Sequence, residues 1–171
     1  MKKIIALVLA LSAAFAYADY PPDSWTDNIL DGIRRAEQEN KMLMLNFAGS
    51  DWCGWCDKLD EEIFSTPQFM EWSENNLIKV YLDFPQKLQL PEYLKLQNEY
   101  TKQFFGVQGF PTIFILDAQL TPLLRTGYKE TTPEEYIRHI QNDNNIPLKN
   151  PEGFQVEFKK FIEEYIAPLY E

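Results

Sequence analysis

The chain's only two cysteines, Cys53 and Cys56, stand two residues apart where a strand-like run gives way to a helix-like one. Residues 42–47 are nearly all apolar and few, as expected of a strand buried on both faces in a sheet with a parallel component. Ala48, Gly49, Ser50 and Asp51 then read as a loop. Counting from Cys56, Leu59 and Ile63 follow at i+3 and i+7, so a helix begins at or just after the first cysteine. This junction limits both what the chain folds into and what its sulfurs can do.

The remaining pattern alternates helices and strands. Residues 27–41 place Ile29, Leu30, Ile33 and Ala36 at helical spacing. Ser65-Thr66-Pro67 is a cap followed by proline at a first helical position, restarting a helix through Trp72. Residues 77–83 read as a strand whose Lys79 suggests an edge or an end, and Pro91 opens a helix that Gly106 closes. Residues 112–116 are a third strand, and 120–126, carrying Pro122, form its hairpin partner near an edge. Thr132-Pro133-Glu134-Glu135 matches a capping box, 141–153 is a polar loop, and Phe154, Phe158, Phe161 and Tyr165 line a last helix. Alternation calls for parallel pairing, and the short turn after Leu116 calls for an antiparallel pair. The expected architecture is α/β: a mixed central sheet of four or five strands, flanked by helices, with an added C-terminal helix over about 152–167.

Lys2-Lys3, an apolar stretch from 4 to 16, and Ala16-Tyr17-Ala18 before Asp19 follow the three-part pattern of a secretory signal peptide. The apolar stretch is shorter than the roughly 18 residues usually needed to span a bilayer. Cleavage after Ala18 leaves residues 19–171, enough for one domain with an ordinary core, and the expectation is a periplasmic or secreted protein with no stable membrane insertion. Loss of Lys2 and Lys3 takes the net charge from -10 to -12. So acidic a surface repels nucleic acid and anionic lipid.

In an oxidising compartment a cysteine pair is by default a structural disulfide. Here that bridge would close a very small loop and so stabilise little by loop entropy. A zinc site is also poorly served: such sites take four ligands, and His139 is the only other soft or imidazole ligand in the chain. The remaining role is redox exchange. Only a thiolate attacks a disulfide, and a helix N-terminus favours the thiolate through unpaired N–H groups and the dipole. Cys53 would attack, and Cys56, one turn deeper and less open, would resolve the mixed disulfide. Trp52 and Trp55 would flank the attacking sulfur, with Trp55 exposed between the cysteines and available to a partner.

Two motifs carry a resemblance. The segment from Phe47 to Cys56, Phe-Ala-Gly-Ser-Asp-Trp-Cys-Gly-Trp-Cys, with Leu59, Phe64 and Pro67 after it, resembles the exported thioredoxin-family proteins of bacteria, and Gly109-Phe110-Pro111-Thr112 resembles the proline loop of the same superfamily. The likeness covers residues 27–140 or so. It implies a thioredoxin-like fold, a cis peptide before Pro111 facing the disulfide, and a client surface made of Trp52, Gly54, Trp55, Phe110 and Pro111. It also implies thiol–disulfide exchange without metal or organic cofactor, with protein thiols and disulfides as clients and a separate redox partner protein as electron donor or acceptor. One departure stands out. The buried aspartate of thioredoxins is matched here by Asn46, which cannot act as a base. Asp51 is the nearest candidate for a substitute proton shuttle.

Reduction or isomerisation of protein disulfides is the leading expectation, because the Gly54-Trp55 dipeptide lacks histidine and because Asp51 and Asp57 oppose thiolate formation. Net oxidation is the enzymatic rival. A client-binding, chaperone-like module with an incidental cysteine pair is the rival outside enzymology.

Overall fold

The computed structural model describes residues 21–22, 24–143, 146 and 150–171; the leader-like segment 1–18 lies outside them. Helix α1 spans Ile29–Glu39, opened by the Asn28 side chain accepting the Leu30 and Asp31 N–H groups and closed by Asn40 in a left-handed conformation. Strand β1 is Met42–Ala48, and α2 (Gly54–Leu59) runs straight on into a π-helical turn, Asp60–Phe64. Thr66 caps α3 (Pro67–Asn76), which leads into β2, Leu77–Asp83. Then come α4 (Glu92–Phe104), β3 (Thr112–Leu116), β4 (Pro122–Thr126) and α5 (Pro133–Asn142). Helix α6 is Pro151–Phe161, prolonged by a π turn over Ile162–Ile166 and a 3-10 turn over Ala167–Tyr170.

The sheet order is β2-β1-β3-β4, with β1 and β2 parallel and both other pairings antiparallel. Among the described residues four strands form it, and beyond β2 lies an isolated bridge, Thr26 to Val80. β2 and β4 are therefore the outer strands, as Lys79 and Pro122 suggest. Lys79 is nonetheless buried: its ammonium donates to the Ser24 and Ser73 hydroxyls and lies over the Trp25 ring, and burial holds its pKa below the ordinary lysine value.

Alternation along β1 divides the core. Leu43, Leu45 and Phe47 face a layer containing Ile29, Phe105 and Phe158, from α1, the end of α4 and α6. Met44 faces the opposite layer with Leu59, Ile63, Phe69 and Tyr136, from α2, its π turn, α3 and α5. Ala48, at the C-terminal end of β1 on that second face, packs against Cys53 and Cys56. Asn46 lies between Met44 and Ala48 in the same alternation.

Candidate active site

The loop 49–52 reaches the helix through a chain of short bonds. The Trp52 indole ring covers Gly49, where a Cβ would come within 2.4 Å of ring carbon, so only glycine fits beneath it. The Gly49 carbonyl accepts the Cys53 N–H at 3.0 Å. Cys53 caps α2, its carbonyl accepting the N–H groups of Cys56 and Asp57 and its Sγ accepting that of Cys56 at 3.3 Å. A backbone donor already aimed at this sulfur favours the thiolate once the bond opens.

Cys53 and Cys56 form a disulfide with Cα atoms 5.2 Å apart. The expectation that Cys53 is the more open of the two is corrected here: Cys53 is 5 % exposed and Cys56 8 %. Phe110 and Tyr81 pack against the cluster that the pair forms with Ala48. What distinguishes Cys53 is its place as helix cap and the donor on its sulfur.

Of the other expected residues, Phe110 packs against this pair. The Phe110–Pro111 peptide is cis, and the Thr112 hydroxyl donates to the Gly109 carbonyl across that loop at 2.7 Å. Trp52 is half-exposed, with its ring edge-on to Phe110 and its Nε1 donating to the Phe84 carbonyl. It therefore serves packing and surface together. Gly54 is exposed, and Trp55, 57 % exposed, pairs at 5.2 Å with the Tyr128 ring while the Lys58 ammonium lies near both faces. The Tyr128 hydroxyl donates to Glu62, which pushes its pKa up to about 12.

Asp51 does not suit the proton-shuttle role. Its carboxylate accepts the backbone N–H groups of Gln86, Lys87 and Leu88, and these bonds, that of Gln86 foremost, hold it below the usual carboxylate range. Fully ionised and engaged with the 84–90 loop, it anchors rather than carries. The buried acid of this region is instead Asp83, at the end of β2 beside Ala48 in the register and 1 % exposed. Both of its oxygens go to Ser50, one to the N–H at 2.8 Å and one to the hydroxyl at 2.6 Å. Burial pushes its pKa up, against the lowering effect of the Ser50 bonds. Asp83, Tyr81 and Tyr128 were not reached from sequence, because strand register and loop contacts decide their neighbours.

A family model described as a thioredoxin-like domain matches residues 31–142. The disulfide bond reductase DsbH of Chlamydia pneumoniae is 30% identical over 116 residues, which is 68% of this chain and 70% of that protein. The chain belongs to the thioredoxin-like family. Its Cys53–Cys56 pair makes it a thiol–disulfide oxidoreductase of that family. A solved structure of a DsbH oxidoreductase superposes with a TM-score of 0.64 at 29% identity, covering 70% of this chain and 86% of its own. A second Chlamydia pneumoniae relative, the thioredoxin-related protein DsbJ, is 24% identical over 131 residues; the match covers 74% of this chain but only 38% of DsbJ. A thioredoxin from Thermus thermophilus shares the fold at TM-score 0.50 and 14% identity. In this chain that fold is a four-stranded mixed sheet between helix layers, with α6 at the C-terminal end.

Proposed function

We propose that this chain works outside the cytoplasm as a reductase or isomerase of protein disulfides. Export is supported by the leader pattern of residues 1–18, and no helix among the described residues is long and apolar enough to cross a membrane. The observation that carries the chemistry is a disulfide placed at the opening of α2, with the Cys56 N–H directed at Cys53 Sγ.

The reaction follows. The Cys53 thiolate attacks one sulfur of a client disulfide, an S–S bond forms between Cys53 and the client, and the displaced client thiolate takes up a proton. Cys56, as thiolate, then attacks Cys53 Sγ; the second client sulfur leaves and is protonated. The client gains two electrons and two protons, and the Cys53–Cys56 disulfide is restored. A partner protein's dithiol returns the enzyme to the reduced state by the same exchange run in reverse, so the sulfur pair itself carries the electrons and no metal or organic cofactor is invoked. Client contact is assigned to Trp52, Gly54 and Trp55, the sequence neighbours of the cysteines, to Phe110, which packs on the pair, and to Pro111 after it.

Replacing the resolving sulfur tests this directly. Cys56→Ser, expressed in its native compartment, should accumulate client proteins covalently attached through Cys53 and released by dithiothreitol, while Cys53→Ser should capture none and lose turnover. Equal capture by both variants would reject the proposed roles. The couple should also lie nearer the thioredoxin value of about -270 mV than the oxidising extreme of about -120 mV. A value above about -150 mV would mark a net oxidant instead.

A further inference from the structure

One buried acceptor beneath the disulfide has no donor. Asn46 is 4 % exposed, and among the described residues nothing hydrogen-bonds to its Oδ1. Its position is tied to the sulfurs from two directions. Along β1 it shares a face with Ala48, which packs on both cysteines. Across the sheet its register partner on β2 is Tyr81, whose side chain packs against the same cluster of Ala48 and the two cysteines. Residue 46 thus lies in the floor of the redox site, beside two residues of the group packed around the disulfide.

A buried polar group without a partner shifts an equilibrium against the state in which it is stranded, by roughly tenfold or more. The closed disulfide offers Asn46 no donor, because neither sulfur carries hydrogen. Reduction does. Transfer of two electrons and two protons from a partner dithiol breaks the S–S bond and leaves an Sγ–H on each cysteine, and a thiol is a hydrogen-bond donor, if a weak one.

Resting on the exchange activity argued above, we propose that Asn46 is a positioning residue that sets the redox balance of the pair. Its Oδ1 accepts a cysteine Sγ–H of the dithiol and stands without a donor in the disulfide, so it stabilises the reduced form relative to the oxidised one. The carboxamide has no titrating proton of its own and cannot take the one that Cys56 loses during resolution. Asn46 therefore acts on where the equilibrium lies.

The test is the equilibrium of the full chain with glutathione, followed by quenching and separation of the two redox forms. Asn46→Leu keeps the branched shape of the side chain, with bulkier methyl ends, and removes the acceptor. It should raise the equilibrium constant for disulfide formation about tenfold, equivalent to a potential lower by about 30 mV for two electrons. Thermal unfolding of each redox form gives the same difference independently: the substitution should favour the oxidised form over the reduced one. If Asn46→Leu does not fold, Asn46→Ala is read the same way. A constant within twofold of the wild type, or a shift toward the dithiol, would overturn the proposal and mean that Asn46 is satisfied equally in both states. A wild-type protein that failed to equilibrate with glutathione would instead refute the exchange activity, whatever residue 46 does.

Discussion

At Asp83, burial and hydrogen bonding pull the same carboxyl in opposite directions, and burial is the larger effect. Its folded pKa lies above the unfolded one, so the folded state is penalised wherever the unfolded chain would be ionised. That penalty is full above the folded pKa and disappears as pH falls below the unfolded value of about 3.9. Asp83→Asn removes the charge and keeps one acceptor for Ser50. Relative to wild type, the variant should be at its best at pH 7 and lose ground as pH is lowered to 4. Denaturant midpoints at the two pH values check this; a difference independent of pH would show that the Asp83 charge is not felt. The residues that announce themselves in sequence are those whose chemistry is local: Cys53 and Cys56 are legible from their spacing, and Pro111 from the resemblance its loop carries. Asp51 is the opposite case. Its partners lie 35 to 37 residues away on the 84–90 loop, and nothing in its sequence neighbourhood distinguishes an anchor from a solvated charge.

Among the elements, α1 packs closely on the sheet at Gly32. A Cβ there would lie 2.3 Å from Val80 Cγ2, and Val80 is a fully buried, β-branched side chain with little room to turn aside. Gly32→Ala should gain about 1 kcal/mol of helix propensity. It should lose up to about 3 kcal/mol to overpacking. The net expectation is a protein less stable by roughly 1–2 kcal/mol, read from the denaturant midpoint; a stabilised variant would mean that α1 can lift off β2 freely. Caps are the most legible part of the elements: Thr66 and Thr132 each accept an N–H from the third helical residue, at Phe69 and Glu135, as their sequence pattern predicts. Starts without a marked signal shift. α1 begins two residues later than its apolar periodicity suggests, because the Asn28 side chain takes the cap. α6 begins at Pro151, inside the expected polar loop, because Asn150 caps it and proline suits the first turn.

For the molecule as a whole, the sheet's two faces divide the labour. One side carries α1, α4 and α6, with Phe158 fully buried among Phe104, Phe105 and Phe161, so the C-terminal helix completes a core layer. The other side carries α2, α3 and α5, and at its upper end the cysteine pair. The mixed sheet was legible because apolar runs of strand length alternate with helical periodicity, and the hairpin turn leaves no other connection for β3 and β4. The tie of the C-terminus to the body was not: the Tyr170 hydroxyl donates to Gln97, which also accepts the Ile29 N–H and donates to the Asp27 carbonyl, and such contacts join residues some 70 positions apart. All of this architecture converges on one sulfur. Alkylation of the reduced protein with iodoacetamide across pH 5 to 10, with each modified cysteine located by mass spectrometry, measures its ionisation directly. Cys53 should react first, with a half-point below the free-thiol value of about 8.5. A half-point at or above that value, or faster modification of Cys56, would contradict the account.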